Sequence, residues 1–445
     1  IKQGKLVKKL FILPLFALSV QLMAQKTLSL KECLQIGIEN NLSLRASQNE
    51  VKKAMETISE NRAKLLPQIN LVGSFNDNFD PPVSVTDGRA YGKQYNVTQT
   101  LQYNAAGGLQ LQMPLYSQMA YTAADLARTM ARLNELSYEK AREDLIVQIA
   151  SIYYLIQNTK EQIGIINDNI KRFEELKEIA KAFYDNQMAL EVDLQRINVR
   201  IESTQIQSAN ALAMLTKQYN MLKYILDYPA EEEIEVIAKS VDEVEAAEMS
   251  GLNENMYELQ LMQQKVALAD QQTKLAKQGY LPTLALTGNV MYTAFSDKFK
   301  NWFHDTEANH WYNSNGIGIS LRVPVFDGFE KRSKVRKAKI DAETARLGFE
   351  NTLKGMQTNY ANAVKDLTNN QRNYFRQRDN YRLAENIYDV TYNRYKEGIV
   401  SMVEVLTDQM SMSDAQNSYL TSHYEYMVSN LQILKYTGKL ETLLF

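Results

Sequence analysis

Cysteine and histidine are almost absent from this chain of 445 residues. Cys33 is the only cysteine, so the chain can form neither a disulfide framework nor a thiolate metal cluster. The three histidines, His304, His310 and His423, are too scattered to suggest a metal site or a catalytic relay. We therefore predict no catalytic residues, no metal and no cofactor, and we expect that the protein is not an enzyme.

Long apolar runs are also lacking. The N-terminus combines a basic start, Lys5–Lys9, with an apolar stretch over Leu10–Val20 and the small residue Ala24, which is typical of a secretory signal. A buried or membrane helix is the weaker alternative, because the stretch is shorter than the roughly 20 residues that span a bilayer. We assign the signal to residues 1–24. After it no run of about 18 apolar residues occurs, which excludes helical membrane spans.

The chain has no excess of positive charge. Its formal net charge is -2, and because residues 1–24 hold four lysines and no acid, the charge without them is -6. No basic field remains to attract nucleic acid, so we predict no nucleic-acid partner. The 45% apolar and 23% charged residues are the balance of a folded protein.

Proline is confined to a few positions. After the signal, the prolines are Pro67, Pro81, Pro82, Pro114, Pro229, Pro282 and Pro324. They leave two proline-free tracts, Leu115–Tyr228 and Val325–Phe445. Because proline breaks helix interiors, these tracts are where long helices are predicted.

Both tracts carry apolar residues at heptad spacing. In the first they are Leu145, Ile149, Ile152, Ile156, Ile163, Ile166, Ile170, Phe173 and Ala180. In the second they are Tyr360, Leu367, Tyr374, Tyr381, Tyr388 and Tyr395. Sustained heptads predict helices that supercoil around each other, and a helix of some 65 to 70 residues is about 100 Å long.

The two halves of the chain repeat each other. The segment from Glu39 to Phe75 aligns without gaps with the segment from Glu254, placing Leu66-Pro67 on Leu281-Pro282. GLQLQMPLY at Gly108 aligns with GISLRVPVF, and LKY occurs near the end of both halves. We infer a tandem duplication. We place the first repeat at 25–228, an acidic linker at 229–250 and the second repeat at 251–445.

Each repeat is predicted as helix, strand, loop, strand and two long helices. The strands alternate apolar and polar residues, so each has one face of each kind. The polar positions that we predict to line an interior are Gln110, Gln112, Ser320 and Arg322. A soluble sandwich would alternate in the same way. The loops favour a membrane interface instead, because they hold both tryptophans, Trp302 and Trp311, and several tyrosines.

Four strands per chain cannot close into a barrel. Strands in lipid must close, because an open edge leaves backbone groups unpaired. Two chains would give eight strands, a size filled by side chains, and three would give twelve, wide enough for a lumen. The sequence therefore predicts an assembly in which the helices continue the barrel as a long tube.

These features resemble the TolC-type outer-membrane efflux family. The resemblance is carried by the signal peptide, the doubled helix-Leu-Pro-strand element, PVFDGFEKRSKVRKAK from Pro324 and the YKEG..S..E.L segment from Tyr395. It implies a mainly α fold with a β-barrel portion: a long coiled-coil helical barrel continuous with a trimeric 12-stranded transmembrane β-barrel, to which each chain contributes four strands. It implies the cell outer membrane as location, with extension into the periplasm and outer-membrane lipid around the barrel.

The resemblance also implies function and partners. The expected protein is the exit duct of a tripartite efflux or type I secretion system. It would form a homotrimer and dock to a periplasmic adaptor protein fed by an inner-membrane RND or ABC pump. Drug, metal and protein export share these parts, and the sequence does not distinguish them. The rival from another class is a soluble periplasmic coiled-coil scaffold without a pore.

In the family, each helix pair turns at the periplasmic entrance. The resemblance assigns four residues to the aperture: Glu404, Asp193, Tyr395 and Tyr184. It assigns the helical tips and adaptor contact to Gly398, Ile399, Val400, Ser401, Gln187, Met188, Ala189 and Leu190. The chain departs from the family pattern with Gln187 for glycine, Leu190 for serine and Val400 for arginine. We expect three copies of Glu404 to form a carboxylate ring that favours cations.

Overall fold

The computed structural model describes residues 26–237, 247–303 and 311–444. The predicted signal, part of the linker, His304 and His310 lie outside the described residues. The first repeat contains β1 (Lys26–Leu28), α1 (Leu30–Asn40), α2 (Leu42–Ala63), β2 (Gln68–Asp77), β3 (Val83–Asp87), β4 (Tyr95–Gln99), β5 (Tyr103–Tyr116), α3 (Gln118–Asp185) and α4 (Glu191–Leu226). Then follow β6 (Ile234–Val236), α5 (Tyr257–Gln278), β7 (Thr283–Ser296), β8 (Trp311–Arg322), α6 (Glu330–Lys396) and α7 (Met402–Thr437).

The four long strands form one antiparallel sheet in the order β2-β5-β7-β8. Residues paired across neighbouring strands share a face. Gln110 is paired with Asn70 and Asn289, whereas Leu109 is paired with Leu71 and Val290. The sheet therefore has one polar and one apolar face, as the alternation predicted.

All four residues predicted to line an interior lie on the polar face. Gln110 and Gln112 alternate with Leu111 on β5. Ser320 is paired with Ala285 and Arg322 with Thr283. On β7 these two partners lie on the same face as Asn289 and Thr287, which are paired with Gln110 and Gln112. The apolar face is formed by Ile69, Leu71, Phe75, Leu109, Leu111, Leu286, Val290, Tyr292, Ile317, Ile319 and Leu321.

The helices form four columns in the same order as the strands. The 68-residue α3 and the 67-residue α6 each make a whole column of about 100 Å. α4 and α7, with 36 residues each, run back along only about half of α3 and α6. The 22-residue α2 and α5 complete those two columns on the side of the sheet. The column order α2/α4, α3, α5/α7, α6 thus follows β2, β5, β7, β8.

Two of the columns consist of two helices each, α2 with α4 and α5 with α7. Hydrogen bonds connect the helix ends where the two helices meet, and we call these places the joints. The Asn41 amide caps α2 and donates to the carbonyl of Ile225 at the end of α4, at 2.8 Å. Ahead of α5, the backbone N–H of Asn253 donates to the carbonyl of Tyr436 near the end of α7, at 2.9 Å. Each joint satisfies a carbonyl that the helix end leaves unpaired.

The core consists of the predicted heptad seams and one cluster at the joints. Leu367, Tyr374 and Tyr388 of the tyrosine heptad are buried, as are Ile149 and Ile156 of the first seam. The cluster at the joints also contains Cys33, which is fully buried as a small apolar residue.

Two local features escaped the sequence analysis. β1 pairs in parallel with β6, so part of the predicted linker 229–250 is a strand packed on the joint cluster. In addition, the connection from β2 to β5 contains the hairpin β3–β4, whose residues are all exposed except the half-buried Asn96. Neither pairing has a periodic pattern long enough to reveal it.

The adjacent glycines Gly107 and Gly108 give a matched test of the sheet. A methyl group at Gly108 would overlap the carbonyl oxygen of Val290 and lie 2.8 Å from the Cα of Met291, both backbone atoms of β7. At Gly107 the nearest atom is 3.8 Å away. We expect Gly108→Ala to cost about 1–3 kcal/mol of stability, because β5 must move away from β7. Gly107→Ala should be tolerated; equal urea midpoints for the two variants would contradict this.

Candidate functional site

The two ends of the helix pairs have the same turn geometry. At the first tip, Gln187 N–H donates to the carbonyl of Tyr184 at 2.9 Å and Met188 N–H to that of Phe183 at 2.7 Å. The second tip repeats both bonds, from Gly398 N–H to Tyr395 at 2.8 Å and from Ile399 N–H to Arg394 at 2.9 Å. These pairs define Schellman motifs. The sequence alignment of the two tips is thereby matched by their backbone structure.

The residue in the left-handed conformation differs between the tips. Gln187 has a φ of 61° and Gly398 a φ of 72°. A residue with a Cβ atom pays roughly 1–2 kcal/mol for this conformation, whereas glycine adopts it freely. No atom of the described residues lies within 4 Å of a Cβ at Gly398, so within this part of the chain it is the backbone angle that favours glycine.

The start of the returning helix also differs. Ser401 caps α7 with its hydroxyl, which accepts the N–H of Glu404 at 3.4 Å. Leu190 precedes α4 without a side-chain cap. The second tip therefore has the stronger local signals for its turn, namely glycine and serine.

The two predicted aperture tyrosines have different surroundings. Tyr395 is 4% exposed and packs on Phe183 with ring centroids 5.4 Å apart, which joins the second helix pair to the first. Burial, with a smaller contribution from the Asp193 carboxylate, raises the pKa of Tyr395 to about 12. Tyr184 is 41% exposed. In this conformation Tyr395 is a packing residue, and Tyr184 is the tyrosine open to solvent.

The two predicted aperture acids also differ. The Asp193 carboxylate lies 2.8 Å from Arg196 on the next turn of α4, and its side chain is only 17% exposed. Glu404 is exposed in the first turn of α7, with no ion pair among the described residues. Arg196 was not singled out from the sequence, although its spacing of three residues from Asp193 was an available signal.

The sequence also gave no indication of a polar network that joins α3 to α6. Arg172 on α3 donates to Glu385 and to Asp389 on α6, both at 3.2 Å. Its guanidinium lies 5.4 Å from the ring centroid of Tyr388. Burial raises the pKa of Tyr388, and the nearby Arg172 cation opposes this shift. These contacts bridge the two helix pairs across more than 200 residues of sequence, so no local pattern could have indicated them.

The described parts of the chain offer little else that could act chemically. They contain no group of three or more His, Cys, Asp or Glu side chains arranged to hold a metal ion. Within the same residues, every helix is too short or too polar to cross a lipid bilayer. The sheet has one polar and one apolar face, and the helical columns continue its strands in the same order. This is the arrangement of one segment of the wall of a tube, and it defines the class as a channel protein.

The comparisons with known proteins identify the family. The family model described as outer membrane efflux protein matches residues 34–226 and 250–439, one match in each repeat. The chain is 22% identical to outer membrane protein TolC of Escherichia coli, over 90% of this chain and 80% of the relative. It is 21% identical to the alkaline protease secretion protein AprF of Pseudomonas aeruginosa, over 93% of this chain and 85% of the relative.

Solved channel structures have the same fold. The outer membrane protein VceC of Vibrio cholerae superposes with a TM-score of 0.72 at 16% identity, covering 92% of this chain and 96% of VceC. The CmeC outer membrane channel of Campylobacter jejuni gives 0.75 at 17% identity, covering 92% and 85%. The chain belongs to the outer membrane efflux protein family. It is an outer-membrane exit duct of efflux or secretion systems that extends into the periplasm, which excludes the soluble scaffold.

Proposed function

We propose that three copies of this chain close into one conduit, a 12-stranded barrel continued by twelve helical columns. The observation that supports this most strongly is the shared order of strands and columns. β2 and β8 are the edges of the sheet, and the columns containing α4 and α6 are the edges of the helical layer on the same two sides. Each edge can therefore meet the opposite edge of the next copy, and such head-to-tail contacts generate a closed ring when the rotation between copies is one third of a turn.

The edge helices carry exposed apolar side chains suited to this contact. On α6, Leu383 and Val390 are 58% and 52% exposed. They follow the seam residues Tyr381 and Tyr388 by two positions, which places them on the opposite side of the helix. On α4, Ile206 is 61% exposed and follows the buried Thr204 by two positions. All lie within about five turns of the tips, so the two stripes can face each other between copies.

A charge in this stripe tests the trimer. We expect Leu383→Lys to abolish the heat-modifiable oligomer, because it buries an unpaired ammonium group between copies. Ser418→Lys adds the same charge to an exposed position of α7, which belongs to an inner column, and should leave the oligomer intact. Native mass spectrometry of the detergent-extracted protein measures both. A trimeric Leu383→Lys protein would contradict the proposed interface.

We further propose that Glu404 sets the cation preference of the closed entrance. Three copies around one axis would form a ring of carboxylates, a device that favours cations at a constriction. Glu404 is exposed, whereas Asp193 is compensated by Arg196. Glu404 therefore contributes more than Asp193 to the negative electrostatic potential at the entrance.

Conductance in planar bilayers tests the aperture. Glu404→Gln should lower the preference for cations over anions, because it removes three charges at the entrance while preserving side-chain size. Asp193→Asn should have a smaller effect. Glu56→Gln, at an exposed position on α2 far from the tips, is the matched control. Unchanged selectivity in Glu404→Gln would contradict the assignment.

We also propose that the two turns dock to a periplasmic adaptor that is fed by an inner-membrane RND or ABC pump. Met188 and Leu190 are each 68% exposed and Ile399 is 59% exposed, so each tip presents apolar groups that the chain itself does not cover. Gln187 and Ala189 flank them in the first turn. Val400 is partly buried in the tip core and contributes less.

Cross-linking to the adaptor tests the docking surface. Met188→Glu should reduce cross-linking at least several-fold while the trimer persists, because a carboxylate cannot enter an apolar contact unpaired. Gln195→Glu introduces the same charge at an exposed position of α4 and should cross-link normally. Equal cross-linking of the two variants would count against docking at the turns.

A further inference from the structure

The polar face of the four-stranded sheet carries one charged residue. Asp77 and Arg322 are the only charged residues of β2, β5, β7 and β8, all four of which the structure describes in full. Arg322 is paired with Thr283 on the polar face, whereas Asp77 is paired with Tyr103 in the phase of the apolar face. The other residues of the polar face are neutral, mainly Asn, Gln, Ser, Thr and Gly. The charge of this face is therefore positive.

Asp77 does not offset the charge of Arg322. It is the last residue of β2, at the opposite end of the sheet, where the side-chain amide of Gln102 donates to its carboxylate at 2.9 Å. The length of sheet between the two residues is about 40 Å at roughly 3.3 Å per residue. Exposed charges farther apart than about 10 Å are largely screened from each other at 0.1 M salt. Arg322 is thus an isolated cation of the polar face.

The acids that follow Arg322 along the chain are already neutralised. The Asp327 carboxylate lies 2.9 Å from the ammonium group of Lys331, and Glu330 is bound in the same way to Lys334. Arg322 is exposed and has no ion pair among the described residues. Its guanidinium group therefore remains available to an anion from solution.

Arg322 lies where the sheet meets the helices. It is the last residue of β8, and its partner Thr283 is the first residue of β7. Its side chain lines a cleft together with Gln118 at the start of α3, Gln278 at the end of α5 and Lys331 at the start of α6. In a threefold assembly, rotation about the axis would place three copies of Arg322 at this one level.

Rings of arginine or lysine favour anions in pores, as rings of carboxylates favour cations. The planar guanidinium group also binds carboxylate and phosphate through two parallel hydrogen bonds. We propose that three copies of Arg322 form an anion-binding ring at the base of the barrel, which takes solutes that carry carboxylate or phosphate groups. The proposal rests on the proposed trimeric conduit. It gives the conduit two charged levels of opposite sign, Glu404 at the entrance and Arg322 at the barrel.

Single-channel recording with addition to one side tests the ring. The full-length protein is inserted into a planar bilayer from one side, so that the long helices stay on that side and the barrel opens on the other. Inositol hexakisphosphate added on the barrel side reaches Arg322 without passing Glu404. We expect it to block the wild type reversibly in about 0.1 M KCl, and to block Arg322→Gln roughly tenfold more weakly. Inositol, which carries no phosphate, should block neither pore.

Two further variants separate the charge of Arg322 from a structural role. Arg322→Lys keeps the charge and should keep the block. Ser320→Arg/Arg322→Gln moves the charge two residues along the same face of β8, a distance of about 7 Å. It should restore most of the block that Arg322→Gln loses, because the ring then forms at a neighbouring level. A purely structural contact of Arg322 would not be restored from position 320.

The proposal is wrong if inositol hexakisphosphate blocks wild type and Arg322→Gln equally, or if moving the charge to position 320 restores nothing. It is also wrong if the block of the wild type persists when KCl rises from about 0.1 to about 1 M. The salt titration needs no variant, so it decides even where a variant fails to assemble. A wild-type pore that conducts without any block overturns the ring alone, whereas a wild type that forms no pore overturns the conduit together with the ring.

Discussion

Pairing of the backbone at the edges of the sheet is the constraint on which this structure depends. β5 and β7 are paired on both sides, whereas β2 and β8 each have one neighbour. Lipid offers no hydrogen bonds, and each unsatisfied backbone group there costs several kcal/mol. An apolar face combined with two open edges therefore supports the proposed closure against further copies of the same chain.

The duplication supplies the elements that the proposed closure needs. Each repeat contributes two strands and two columns, and every column continues from the end of its own strand. Because a helix of 36 residues covers only about half of its neighbour, the short helices α2 and α5 must fill the remaining length. The bonds from Asn41 and Asn253 then connect helix ends that would otherwise expose carbonyls inside the wall.

Periodic features were predictable from the sequence, and contacts between distant segments were not. The four strands, the polar face with Gln110 and Arg322, and the heptad seams all repeat along the chain, so a local pattern reveals them. The β1–β6 pair brings together segments about 200 residues apart through only three residues each. Arg172 likewise meets Glu385 only because two seams pack at one level. No spacing of residues along the chain indicates such contacts.

The tips show which part of a motif the fold requires. In the second repeat, glycine takes the left-handed position at both ends of α7, in Gly398 before it and Gly438 after it. In the first repeat, Gln187 and Asp227 take the corresponding positions around α4 with the same hydrogen bonds. The packing of the helices that end there therefore imposes the turn. Glycine only lowers the free-energy cost of the left-handed conformation. The turn of the first tip thus makes no demand on the side chains of Met188 and Leu190, and their exposure supports the proposed contact with an adaptor.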